Sequence, residues 1–335
     1  MKVEATVVRR QSDPKSEVGI LSEKIPSRPR LGLVLSSGGA KGLAHIGVIQ
    51  VLEENGIAVD AVVGSSMGAY VAAVWAFGYD SSAMEKLARE METPRKWLRL
   101  LDPSLLPRCG LLRGEKMLHH LKGSIGNTQF SDLIRPLRVV ATNLSTLERV
   151  VFSSGEVALA VQASSAIPGV CAPIRIGAEM FIDGGVVDPL PVEAAREMGV
   201  DVVLAVNVVP TIEHLRSRSE FDRAQSARRQ SPWNRTAKLL RRTLDTVSSR
   251  NVFDVIYRTM LGAQIRLAEQ SAQHADLVLR PLSLDGRWHE FHRPGKYIAL
   301  GRRTAEEHLE EIKALTRGDF HHEHSTTRHA LAVAA

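Results

Sequence analysis

Twice within its first eighty residues the chain runs from a short apolar stretch into a turn of glycine and serine, and from there directly into a helix pattern. Leu31–Leu35 ends in Ser36-Ser37-Gly38-Gly39, a run that suits a buried strand entering a turn. Behind it, Lys41–Glu54 carries Leu43, Ile46, Val48, Ile49, Val51 and Leu52 over most of its circumference and stops at Asn55-Gly56. Ala61-Val62-Val63 then predicts a second strand and Met67–Phe77 a second buried helix. Strand, turn, helix, strand, turn, helix is the order of a parallel sheet with crossover helices. The chain is therefore expected to be an α/β protein.

Further strands are expected at Leu137–Thr142, Arg149–Phe152, Glu179–Ile182 and Val202–Val208, with a helix over Val157–Ala166 ended by Pro168-Gly169. Residues 212–235 are polar and arginine-rich and read as a loop or lid. The pattern is helical again from Arg235 to about Ala272, followed by a strand within Ala275–Pro281 and a last helix at Ala305–Leu315. This divides the chain into a flexible arm (1–30), an α/β core (31–210), a region completing the same domain (211–316) and a disordered tail (317–335).

Composition narrows the classes. With 335 residues and 44% hydrophobic content, a sizeable core is expected. Two cysteines, Cys109 and Cys171, make no disulfide framework, and reduced thiols in the cytoplasm are the simpler expectation. The N-terminal stretch lacks the apolar segment of a secretion signal. Ala61 to Tyr79 carries no charge and approaches the length of a bilayer span. However, Gly64, Ser65, Ser66 and Gly68 near its start favour a strand, a turn and a buried helix. The net charge of +6 is local: ten cations and four acids lie between Ile212 and Arg250. Trp233, Ala237, Leu240, Leu244 and Val247 recur at helical steps there, with Arg235, Lys238, Arg241 and Arg242 on the other faces. Either a helix packed on the domain or one resting on an anionic membrane surface fits this pattern.

Three motifs carry chemistry. Gly64-Ser65-Ser66-Met67-Gly68 is a G-x-S-x-G between strand and helix, a setting that lifts the central hydroxyl clear of the backbone. Ser66 is the candidate nucleophile, and the helix behind it directs N–H groups and a positive dipole end toward an oxyanion. Ser37-Gly38-Gly39-Ala40-Lys41-Gly42 lets successive backbone N–H groups converge on one anion. It fits neither G-x-x-x-x-G-K-[ST] nor G-x-G-x-x-G, which lowers a nucleotide-binding reading in favour of an oxyanion hole. Asp183-Gly184-Gly185 follows Met180-Phe181-Ile182 and sets a carboxylate at a strand end, where it can serve as the base that a serine hydroxyl needs. By itself such a sequence is usually only a turn.

Together and in this order, G-G-A-K-G, G-x-S-x-G and D-G-G resemble the patatin-like phospholipases, in particular the bacterial branch related to the catalytic domain of neuropathy target esterase. Gly42-Leu43-Ala44-His45-Ile46-Gly47-Val48, Ala163–Gly169, Val187–Val192 and Ala275–Pro281 with Trp288 and Phe291 extend the likeness over about Leu31 to Leu315. The resemblance implies a three-layer α/β/α sandwich with a mostly parallel central sheet and a Ser–Asp dyad hydrolysing lipid esters. It assigns Ser66 as nucleophile, Asp183 as base and the backbone of Gly38, Gly39 and Ala40 as oxyanion hole. Lys41 matches a basic position that is often arginine. Many members have glycine where this chain has Ser37, which leaves open which N–H groups donate.

A Ser–His–Asp triad would draw on His274, His289 or His292, and the resemblance requires none of them. His45 reads as a packed or capping residue and Asp188 as a helix-start residue. His321, His322, Glu323 and His324 read as a solvated tail. No H-E-x-x-H, zinc spacing or EF-hand loop occurs, so neither metal nor cofactor is expected. The expected partner is a lipid ester, with peripheral contact to an anionic membrane and no nucleic acid. A carboxylesterase or thioesterase acting on soluble esters, and a non-catalytic protein keeping the fold, are the competing readings.

Overall fold

The structure, a computed structural model, describes residues 28–93, 102–103, 110–228 and 252–317. The expected N-terminal arm (up to residue 27), the basic helix around Trp233–Val247, Cys109 and the histidine-bearing tail lie outside the described residues. In chain order the strands and helices are β1 (Leu31–Leu35), α1 (Ala44–Glu54), β2 (Ala61–Ser65), α2 (Met67–Phe77) and α3 (Ser81–Arg89). Next come β3 (Gly110–Leu112), α4 (Glu115–Ile125), β4 (Leu137–Asn143), β5 (Arg149–Phe152), α5 (Val157–Ser164), β6 (Gly169–Cys171), β7 (Ile174–Ile176) and β8 (Glu179–Asp183). The last are α6 (Val192–Arg196), β9 (Val202–Val206), α7 (Ile212–Arg228), α8 (Val252–Ala272), β10 (Leu277–Leu279), α9 (Pro294–Glu307) and α10 (Leu309–Arg317).

The main sheet runs β10-β9-β1-β2-β4-β8-β7, with β5 added to β4. From β10 to β4 every pairing is parallel, while β8, β7 and β5 are antiparallel additions. Alternate residues of the central strands feed two separate cores, as the two-residue strand period requires. Leu31, Leu33, Leu35, Val62, Leu204 and Val206 pack into one core with α1, α2, α3, α9 and α10. Val34, Ala61, Val63, Val203 and Ala205 pack into the other with α6 and α8. Helices thus cover both faces of a mostly parallel sheet. The expected three-layer α/β/α sandwich is the observed one.

Two expectations need correction. Residues 212–228 are helical, where polarity pointed to a loop or lid. Thr211 caps that helix through its Oγ1, which accepts from His214 N at 3.1 Å, and the residues behind it are mostly good helix formers. Arg218 Nη1 also donates to the Gly286 carbonyl at 2.8 Å, tying α7 down by its polar groups rather than by an apolar stripe. The last helix is two helices: Ala305 belongs to α9, and α10 begins at Leu309. His308 ends α9, its Nδ1 lying 2.9 Å from the Thr304 carbonyl, so an apolar pattern continues across a break in the backbone.

Candidate active site

The sheet register brings the serine and aspartate motifs together. β2 pairs with β4 as far as Ser65 opposite Val140, and β8 pairs with β4 from Asp183 opposite Ala141. β5 pairs with Val139 through Thr142 of β4 and so takes the other edge. β2 and β8 therefore share one edge of β4 and meet end to end, running in opposite directions. Their C-terminal residues abut, and the first residue past β2 faces the last residue of β8.

Ser66 is the N-cap of α2, with φ 55° and ψ −121°. Among the described residues, only Leu147 besides it has positive φ without being glycine. Such backbone costs about 1–3 kcal/mol and persists only where the surroundings enforce it. Here they do so from three sides. Ser66 N donates to Ser164 Oγ at 2.8 Å, Ser66 O accepts from Tyr70 N at 3.1 Å, and Ser66 Oγ donates to Asp183 Oδ2 at 2.6 Å. Ser164 Oγ in turn donates to the Val140 carbonyl at 2.6 Å, which ties the turn to β4. Gly68 allows the first turn of α2 to press against β1, since a Cβ there would lie 2.1 Å from the Leu35 carbonyl oxygen. Gly64 precedes the turn in β2.

Asp183 is 3% exposed, and its second oxygen, Oδ1, accepts from Gly185 N at 2.7 Å. Thr142 Oγ1 donates to the Asp183 carbonyl at 2.9 Å, and Asp183 N donates to Ala166 O at 2.9 Å. Burial raises its carboxyl from 3.8 to about 6, partly offset by the hydrogen bonds from Ser66 and Gly185. The raised basicity is in the direction that proton acceptance from an alcohol requires. Gly184 and Gly185 open the short 3-10 turn behind it.

The glycine turn Gly38-Gly39-Ala40 leads from β1 into a 3-10 turn over Gly39–Leu43 that flows into α1. Its outer neighbours are already bonded: Ser37 N donates to Pro189 O at 2.8 Å and Ala40 N to Trp288 O at 2.7 Å. Ala40, expected in the anion-binding set, thus donates its N–H to the Trp288 carbonyl in this structure. Gly38 and Gly39 are the central members of the turn. Lys41 and Gly42 follow on the same 3-10 turn, and burial, with Arg218 nearby, lowers the Lys41 ammonium to about 7.

Two participants were not assigned from sequence. Ser164 lies in the Ala163–Gly169 stretch, and the legible signal was a hydroxyl near the end of an otherwise apolar helix. Trp288 acts through its backbone carbonyl, for which no sequence signal exists. His45 is fully buried and donates from Nε2 to the Ser36 carbonyl at 2.9 Å, the packed role expected of it. Burial lowers that imidazole to about 4. Asp188 pairs with Arg149 at 3.4 Å rather than starting a helix. Among the described residues no cluster of His, Cys, Asp and Glu is suited to a metal. Nor is any helix among them long and apolar enough to cross a membrane, and Ala61–Tyr79 forms a strand, a turn and a helix.

Comparison with known proteins identifies the family. Residues 33–196 match the family model described as patatin-like phospholipase. An uncharacterized NTE family protein of Mycobacterium tuberculosis is 33% identical over 340 residues, covering 86% of this chain and 93% of that protein. The lysophospholipase nte1 of Aspergillus fumigatus is 34% identical over 202 residues, covering 59% of this chain and 13% of that much longer protein. The crystal structure of VipD from Legionella pneumophila aligns over 86% of this chain and 67% of that one, at 16% identity and a TM-score of 0.45. The chain belongs to the patatin-like phospholipase family, among its NTE members, and with them to the carboxylic ester hydrolases acting on lipid.

Proposed function

We propose that the chain cleaves fatty-acyl ester bonds of phospholipids or lysophospholipids, with Ser66 as nucleophile, Asp183 as general base and the N–H groups of Gly38 and Gly39 as oxyanion donors. The observation that carries this reading is the 2.6 Å hydrogen bond from Ser66 Oγ to Asp183 Oδ2, a direct contact between nucleophile and carboxylate. Ser66 Oγ attacks the ester carbonyl carbon while its proton passes to Asp183 Oδ2. The negative oxygen of the tetrahedral intermediate is held by the glycine turn. Collapse expels the alcohol, the lysolipid or glycerophosphoryl part, which leaves with the proton from Asp183. Water then attacks the acyl-serine, gives its proton to Asp183, and the second collapse releases the fatty acid and returns the proton to Ser66.

A single catalytic domain spanning about 31–316 goes with this reading, since β10, from the C-terminal region, extends the same sheet as the motif-bearing strands. A cytoplasmic enzyme meeting an anionic membrane through its basic region is part of the same proposal. The decisive experiment is labelling by a serine-directed fluorophosphonate of wild type, Ser66→Ala and Asp183→Asn. Labelling of wild type alone is expected. Undiminished labelling of Ser66→Ala would remove the nucleophile assignment, and undiminished labelling of Asp183→Asn the base. Turnover of micellar long-chain against monomeric short-chain esters separates a phospholipase from an esterase on soluble substrates.

A further inference from the structure

Among the described residues, Ser37 Oγ and Ser65 Oγ are buried hydroxyls without a hydrogen-bond partner, and each lies against one of the two glycines that follow Asp183. Ser37 is 3% exposed. Burying a hydroxyl unpaired costs about 1–3 kcal/mol, so a position that retains one asks for an explanation. Around Gly185 the polar groups converge. The point a Cβ would occupy there lies 2.8 Å from Ser37 Oγ, 2.9 Å from Asp183 Oδ1 and 2.9 Å from Gln264 Nε2. Asp183 Oδ1 is the oxygen that faces away from Ser66 and accepts only from Gly185 N among the described hydrogen bonds. A hydroxyl from beside the glycine turn, an amide from α8 and Asp183 Oδ1 thus converge on one point next to Gly185, with no direct hydrogen bond from Ser37 to the carboxylate.

We propose that Ser37 and Gln264 are positioning residues for Asp183, presenting donors to Oδ1, directly or through one water, so that Oδ2 stays ionised and aimed at Ser66. The inference rests on Asp183 being the base. It also gives the serine at 37, where many relatives resembling this chain have glycine, a chemical task. Beside Asp183, β4 contributes Thr142 and the serine turn Ser66, neither of which titrates in the acidic range. β6 contributes Cys171, whose thiol burial raises to about 11, with Asp183 and Asp102 adding to the rise. Asp188, on the turn behind Asp183, is likewise raised by burial to about 6, and Lys41 is lowered by burial to about 7. Both are shared by wild type and variants, so the acidic limb is read as a difference between wild type and variant.

The test is the rate of fluorophosphonate labelling from pH 4.5 to 9 for wild type, Ser37→Gly, Ser37→Ala, Gln264→Met and the Ser37→Ala/Gln264→Met double variant, with melting curves alongside. Removing a donor disfavours the charged carboxylate, so the acidic limb should move to higher pH by about half to one unit. That is a rate about three- to tenfold lower at pH 5, with rates at pH 8.5 near wild type and a larger shift in the double variant. An unmoved limb in folded Ser37→Gly and Gln264→Met proteins overturns the inference, as does a drop of equal size at every pH, which marks a purely structural role. Asp183→Asn separates the two levels of reading. If it still labels like wild type, base and inference fall together; if it is inert while the limb stays put, only the inference falls.

Discussion

Ser66 and Gly39 occupy nearly the same backbone angle, φ 55° and 57°, at the ends of adjacent parallel strands, yet the chain treats them differently. At Gly39 there is no side chain to strain, and none would fit, since a Cβ would sit 2.5 Å from the Trp288 carbonyl oxygen. At Ser66 a side chain is kept at the same φ, and three hydrogen bonds hold it at the strand end. The two turns divide one task. On the proposed assignment, one presents the nucleophile's side chain at a conformational cost, and the other presents bare backbone at little cost.

Exchanging these features gives the sharpest tests. Ser66→Gly should abolish labelling and turnover, by about 10⁴-fold or more. It should also raise thermal stability by about 1–2 kcal/mol, because glycine relieves the positive φ. Ser66→Ala should be equally inactive without that gain. Equal melting temperatures for the two variants would mean that the turn stores no strain. Gly39→Ala should lower kcat by about 10²–10³-fold by displacing the oxyanion donors, with a lower melting temperature; near-normal turnover would place the hole elsewhere.

The proposed base sets an intermediate effect. Turnover should fall about tenfold per pH unit as pH drops through about 6, where Asp183 takes up a proton. For stability the sign is opposite to that of an ordinary paired aspartate. The folded carboxyl lies above its unfolded value of 3.8, so the native state holds the proton more tightly. The contribution of Asp183 to stability is therefore greatest below about pH 4 and declines as pH rises through 6. Asp183→Asn should accordingly melt higher than wild type at pH 7–8 and not at pH 4, as calorimetry at both values would record. The smallest effect is expected from Ser164→Ala, which leaves Ser66 N unpaired: about 1–3 kcal/mol in stability and a few-fold in kcat. If Ser164→Ala is silent in both, the strained turn is held by Asp183 and Tyr70 alone.

Much of this protein was legible before folding, because its signals are local. Leu31–Leu35, Arg149–Phe152 and Met67–Phe77 stand where the apolar runs and their glycine stops put them. Ser66, Asp183 and the glycine turn were each visible as a motif whose chemistry depends on a few consecutive residues. Polarity alone misread α7, since a helix can be held by a threonine cap and arginine bonds to a neighbouring loop without an apolar stripe. Distance was the property no local pattern contains. That Ser66 and Asp183, separated by 117 positions, meet at 2.6 Å follows from β2 and β8 sharing one edge of β4 in opposite directions. The same holds for Trp288 O on the glycine turn, Ser164 beneath the serine, and Ser37 with Gln264 beside the carboxylate. Residue types determine what a group can do; only the closing of the sheet and the packing of its helices decide which groups come within reach.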